Sequence, residues 1–485
     1  LEVGILKEKL KKIIHHLKTK KVAYGDARYV FNTNQSIAVK GQTVEAISQS
    51  DDMGIGIRVI VDGCWGFAAT SSLADEDLIK TANLAVKIAR ASALTKKVEV
   101  QLAKVKPYID NYCTKYKEDP FLTPVDEKLE LLFKITDTLR VNKAVKLAEA
   151  NMNFFRTKKI FCSTEGACIE QEIVESGGGY TATAVAGGEV QKRSYPASHR
   201  GDYACAGYEY IRQMGLLENA ERVADEAAAL LKAPDCPATD TTVIITGSQM
   251  ALQVHESCGH PAELDRVLGT EISLAGGSFM TLDKLGSFRY GSPIVNIVID
   301  STAEGGLGSF GYDDEGIKAS RSHVIKEGII VGYLTSRETA PVIKSVSNGC
   351  MRADGWNSIP LIRMTNLNLE PGEWEYDDLI ADTKDGILLD TNKSWSIDDK
   401  RLNFQFGTEI AWQIKSGKIG QMYKNPVYTG MTPEFWNNCD AICNKKHWHI
   451  WGIPSCGKGE PKQTAHVAHG TSPARFNNVT VGVSK

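Results

Sequence analysis

The 485-residue chain lacks four features that would have narrowed its function at once. It has no charge imbalance: 56 Lys and Arg face 59 Asp and Glu, a formal −3. That leaves no electrostatic footprint for nucleic acid or an anionic membrane. It has no long apolar run. Stretches such as Val243–Ile245 and Ile294–Ile299 fall far short of a bilayer span. It has no internal repeat or low-complexity tract. It also has no signal-peptide pattern, because Leu6 to Lys12 is charged and amphipathic. The first residue is not Met, so the start is read as processed or trimmed. Eleven scattered cysteines, an odd number, fit reduced thiols better than a disulfide framework. A cytoplasmic protein is expected.

Histidine is scarce too, with ten in all, and two of them stand close together. The stretch Ala251 to Asp265 contains His255-Glu256-Ser257-Cys258-Gly259-His260. Imidazole is the usual nitrogen ligand of zinc, and an adjacent carboxylate can take a proton from water beside such a metal. The spacing is His-Glu-x-x-x-His, one residue longer than the zincin motif. Residues five apart on a regular helix sit about 140° apart, so His255 and His260 would diverge. Gly259 loosens the backbone, and Pro261 disfavours the α region for His260. A π-bulge would also bring the two histidines together. Two readings stay open: a zinc site with Glu256 as its base, or ordinary helix-end histidines.

Length predicts two or three domains. Residues 1–20 read as a helix through Leu6, Leu10, Ile13, Ile14 and Leu17. Strands follow at 22–31, 35–40 and 56–61, then a hairpin through Asp62-Gly63 into 64–68. Asp75 is expected to cap a second helix. A connecting segment, 100–123, leads to a helix capped by Thr123 with Pro124 at its first position. Residues 145–200 alternate like an antiparallel meander, with turns at Gly177-Gly178-Gly179 and Gly187-Gly188. An Ala-rich helix covers 217–232, and Ala233 to Pro237 is the clearest boundary. A buried strand at 241–246 leads into the helix carrying His255, and Pro261 opens a second short helix through Leu268. The expected class is α+β: an N-terminal domain over 1–100, a central helix and meander over 101–232, and a β-rich C-terminal domain over 233–485.

A two-histidine site needs a further ligand. Glu263 and Asp265 lie nearby and are favoured as outer-shell acceptors, while Cys258 reads as packing. Cys439, Cys443, His447 and His449 allow a second zinc site, though buried thiols and surface histidines are the favoured reading. Cys456 stands apart in a glycine-flanked loop that lets a thiolate approach another site. The acidic run Gly311 to Gly316 could bind Ca²⁺ or line a cleft. It lacks the EF-hand pattern, so a solvated turn is favoured. Arg352, Arg363 and Asn366 could hold a peptide backbone or cap sheet edges.

Taken in order, these stretches resemble the TldD/PmbA family of metalloproteases, on its metal-bearing TldD side. The resemblance spans nearly the whole chain. It rests on Gly54 to Val59, Asp62 to Ala68, His255 to Asp265, Gly311 to Gly316, Gly332 to Ala340, Arg363 to Asn366, Arg401 to Gly407, Cys456 to Pro461 and Pro473 to Phe476. It implies Zn²⁺ held by His255, His260 and Cys456, with Glu256 as catalytic glutamate. It further implies cleavage of unfolded peptides inside a dimer, formed with itself or with a PmbA/TldE-like paralogue. Cys258, Cys439 and Cys443 have no place in that pattern. The rival reading is a non-catalytic, peptide- or protein-binding regulatory subunit. Older family labels tie members to DNA gyrase, but the neutral charge balance argues against direct DNA contact.

Overall fold

Leu6, Leu10, Ile13, Ile14 and Leu17 form one buried stripe, so the N-terminal segment folds as helix α1 (Val3–Thr19). This is a computed structural model, and it describes residues 3–273 and 276–483. The chain is α+β with a β-rich C-terminal half, as the patterning predicts.

Strands β1 (Tyr24–Lys40), β2 (Thr43–Val61) and β3 (Cys64–Thr70) run antiparallel, with Tyr24 opposite Ile60. The two strands expected over 22–40 are one continuous strand. Asp62 and Gly63 both take positive φ, the geometry of a tight hairpin turn. Helix α2 (Asp75–Ala93) follows. Ala74 rather than Asp75 occupies its cap position. Asp75 instead accepts from Lys9 and Lys12 of α1, tying the two helices together. The connecting segment contains a short strand, β4 (Ile109–Cys113), parallel to β6. Helix α3 (Val125–Val141) starts one residue later than expected. Pro124 holds its cap position, and the Thr123 hydroxyl turns back to the Asp119 carbonyl.

Strands β5 (Val145–Ser163), β6 (Cys168–Ala186) and β7 (Glu189–Tyr195) form the expected meander, and the short β8 (Asp202–Ala204) adds to β6. Gly177, Gly178 and Gly179 are not a turn; they lie inside β6. A Cβ on Gly177 would stand 2.1 Å from the Tyr203 ring, and one on Gly179 2.4 Å from the Gly201 Cα. Their bareness admits the segment around β8 against the sheet. The sheet order is β3-β2-β1-β5-β6-β4. Helices α1 and α2 cover one end of it. Helix α3, the short α4 (Glu209–Gln213) and α5 (Ala220–Leu230) cover the other.

A closed ring of five strands forms the second half. Strand β9 (Thr239–Ile245) pairs in parallel with Asp385–Ile397. That strand pairs with Asn403–Lys415, which pairs with Pro426–Met431, then Ala474–Val483, and so back to β9. Ring closure leaves no free edge among these five strands. From β9 the chain enters helix α6 (Gly247–Val254), in which every residue but Gly247 is buried. Its polar groups are paired: Gln249 donates to the Tyr428 hydroxyl at 2.6 Å, and that hydroxyl donates to Gln253 at 2.9 Å.

The acidic run at 311–316 is not a solvated turn. Asp313, Asp314 and Glu315 are all buried. Asp314 accepts from Lys159 of β5 at 2.6 Å and lies 3.7 Å from Arg28 of β1. The run therefore clamps the second half to the first sheet. Burial pushes the Asp314 carboxyl up, but Lys159 and Arg28 outweigh it and hold it at about 2. A depressed folded pKa gives stability that is present above the unfolded value and lost as pH falls through the folded one. Asp314→Asn removes the carboxylate from buried Arg28 and half-buried Lys159 and is expected to cost about 3 kcal/mol at neutral pH. Denaturant unfolding should show that gap shrinking as pH falls from about 4 to about 2.

Candidate metal centre

Helix α6 does not run straight into the second histidine. His255–Gly259 widens into one π-helical turn, closed by the His260 N–H on the His255 carbonyl. That wider turn brings residues five apart onto one face. The two imidazole rings stand 4.8 Å apart, edge to face. His260 keeps right-handed helical geometry (φ −58°, ψ −41°), so Pro261 does not force it out of the α region. Instead the chain tightens into a 3₁₀ turn over His260–Ala262, and a single α-turn follows at Leu264–Val267. Gly259 serves packing rather than looseness: a Cβ there would lie 2.1 Å from the Met364 sulfur.

Cys456 arrives from the far end of the chain on the strand His449–Lys458. Its Sγ lies 3.4 Å from His255 Nε2 and 3.8 Å from His260 Nε2. Tetrahedral zinc with one sulfur and two nitrogen ligands puts S and N about 3.6 Å apart, so the donor set fits zinc. His255, His260 and Cys456 are the one group of three potential ligands found among the described residues. All three are buried.

The surroundings aim these donors. Glu263 Oε2 accepts from His260 Nδ1 at 3.1 Å, leaving Nε2 free as a lone-pair donor. His255 Nδ1 meets His469 Nε2 at 2.7 Å, and His469 Nδ1 donates to the Leu367 carbonyl at 2.9 Å. A carbonyl can only accept, so His469 carries its proton on Nδ1 and receives one from His255. His255 is thereby left with its Nε2 lone pair turned toward Cys456. Burial holds both His255 and His469 neutral by lowering their pKa. His469→Ala is expected to weaken metal binding about 10- to 100-fold while leaving the three donors in place. Competition with a chromogenic chelator would read this, and unchanged affinity would refute the relay.

Lys458 and Arg363 seat the cysteine strand. The Lys458 ammonium, fully buried, lies 2.8 Å from both oxygens of Asp265 and 3.4 Å from Glu263. Arg363 donates to the carbonyls of Cys456 and Gln463. Burial raises the Cys456 thiol pKa, yet Arg363 and His260 outweigh it and bring it below the ordinary value. That favours the thiolate a metal requires. Arg352 likewise holds backbone of this chain, at Met364 and His466.

Glu256 follows His255 and faces Arg401, whose Nη1 donates to it at 2.8 Å. Burial raises this carboxyl; opposing it are the imidazoles of His260 and His255 while either carries a proton, and the Arg401 guanidinium in every state, so that its pKa is lowered in the metal-free protein. Cys258 packs in the core with the Tyr290 hydroxyl on its sulfur. The second cysteine–histidine cluster does not assemble. Cys439 and Cys443 are buried thiols, the latter pushed up to about 12 by burial. His447 instead bonds Glu375, and His449 bonds Asp202. His469 and Arg401 are the residues whose roles sequence reasoning missed.

The PmbA/TldA metallopeptidase C-terminal domain matches residues 238–483, and domain 1 of the same family matches 25–89. The chain belongs to the PmbA/TldD family. A metalloprotease of Methanocaldococcus jannaschii is 32% identical over 90% of this chain and 92% of its own. The TldD homolog of Haemophilus influenzae is 25% identical, covering 95% and 93%. A Saccharolobus solfataricus relative, 22% identical over 90% and 91%, is named a zinc metalloprotease TldD homolog. In fold, the chain is similar to TldE from Thermococcus kodakarensis, with a TM-score of 0.73 at 16% identity, covering 98% and 100%. Like other PmbA/TldD chains it carries metallopeptidase domains, and no described helix is long and apolar enough to cross a membrane.

Proposed function

We propose that this PmbA/TldD chain is a zinc peptidase acting on unfolded peptides, with zinc held by His255, His260 and Cys456. The observation that carries the reading is the convergence of three buried donors beside an ionised carboxylate, from segments almost 200 residues apart. Bound there, zinc would supply Lewis acidity that activates water and polarises the scissile carbonyl. Glu256, its charge held by Arg401, takes the proton from the attacking water and passes it to the leaving amine. A thiolate among the donors tempers the Lewis acidity, so modest turnover is expected. The reading includes a dimer, formed with a second copy or a TldE-like subunit, as the family resemblance implies. The test is whether unfolded peptides come back as fragments, with activity lost to a chelator and restored by zinc. Peptides bound yet returned intact by the zinc-loaded protein, alone and with a TldE-like partner, would favour a regulatory subunit instead.

A further inference from the structure

A pair of thiols faces across one hairpin, far from any role in peptide hydrolysis. Cys162, near the end of β5, is the direct antiparallel partner of Cys168, the first residue of β6. Their sulfurs are 2.9 Å apart, and both cysteines are free thiols. Directly opposed residues in such a ladder place their Cα atoms about 4.5–5.5 Å apart. That is the span a disulfide bridges without moving the backbone.

The two thiols differ in environment. Cys162 is buried, next to Ala27 of β1 and within the core beneath α1. Cys168 is partly exposed at the rim of the same core. The contact with the Cys162 sulfur, which either thiol can donate, and then the Lys7 and Lys11 ammonium groups lower the pKa of Cys168 against the effect of burial. Lys7 is anchored over this edge by Glu170, at 2.7 Å. One sulfur is thus poised to attack and the other to resolve.

We propose that Cys162 and Cys168 form a redox-active dithiol that closes to a disulfide by exchange with a small disulfide of the oxidised-glutathione class. The Cys168 thiolate attacks one sulfur of the small disulfide. A mixed disulfide forms on Cys168, and one small thiolate leaves. Cys162, giving up its proton to solvent or to that departing thiolate, then attacks the Cys168 sulfur. The Cys162–Cys168 bond forms and the second small thiol leaves. Two protein thiols are oxidised and one small disulfide is reduced to two thiols.

The test incubates the full chain with oxidised and reduced glutathione in a series of ratios. After acid quenching and alkylation, the peptides are mapped by mass spectrometry. The expected result is a Cys162–Cys168 linkage that a dithiol reductant reverses. Cys162→Ser should trap one glutathione on Cys168, whereas Cys168→Ser should leave Cys162 unmodified. Exposed Cys113 serves as an internal standard, since it can take up glutathione from solvent. The proposal is overturned if both cysteines stay alkylatable where Cys113 is modified. It is equally overturned if wild-type Cys168 accumulates as a stable glutathione adduct.

Discussion

Glu256→Gln is expected to retain its metal and to lose peptide hydrolysis by roughly 10³-fold. The amide keeps the shape and can still face Arg401, but it cannot accept a proton from water. Removing the charge takes the carboxylate partner from the largely buried Arg401, so a loss of stability is expected alongside, which the zinc content of the folded variant separates from the loss of activity. The comparison should therefore separate cleanly: full zinc by elemental analysis, near-absent cleavage. The pH profile carries a second signature. The Arg401 guanidinium, 2.8 Å away, favours the ionised form of this base. Wild-type kcat/KM should fall only as the acid limb protonates it, and the variant's residual rate should lack that limb. Full activity in a zinc-loaded Gln variant would remove Glu256 from the mechanism.

Cys456→Ala is expected to abolish both zinc retention and cleavage, as His255→Ala should. Each change leaves two donors in a pocket built for three, and a buried two-ligand site holds zinc poorly against water. The cysteine variant is the more informative of the two. Arg363 and Lys458 grip the backbone and the neighbouring loop rather than the sulfur, so the strand should stay seated. Loss of about one zinc per chain on removing a single sulfur would tie the C-terminal strand to the histidine motif. Zinc retained in this variant would shift the third ligand to Glu263, which already touches His260.

The sequence made the helices and long strands legible where one face is apolar, as in α1. It also carried the His255–His260 pair and two ways to bring them together, a helix ended by Pro261 or a π-bulge, of which the structure takes the second. What local pattern could not carry was the reason for individual residues. Gly177 to Gly179 look like turn glycines because bareness reads the same in a turn and under a crossing segment. Asp313 to Glu315 look solvated because their partners, Arg28, Arg58, Lys159 and Arg337, come from distant stretches. His469 gives no local sign of its role. It lies on the strand Gln463–Thr471, paired with the Cys456 strand, and only that pairing brings it to His255. Arg401 stands in a stretch that matches the family, yet its contact with Glu256 depends on how the ring of strands closes.

That ring has a bearing on how the protein is made. Its members β9 and Pro426–Met431 are both held by the strand Ala474–Val483, which leaves the ribosome after all the others. Until then the growing polypeptide has His255 and His260, and from residue 456 on the sulfur as well, but no finished wall around them. A nascent chain thus carries an incomplete chelate over the stretch of synthesis between His260 and Cys456. On the proposed reading, a product terminated before the last ring strand would carry the histidine motif without a closed ring around it.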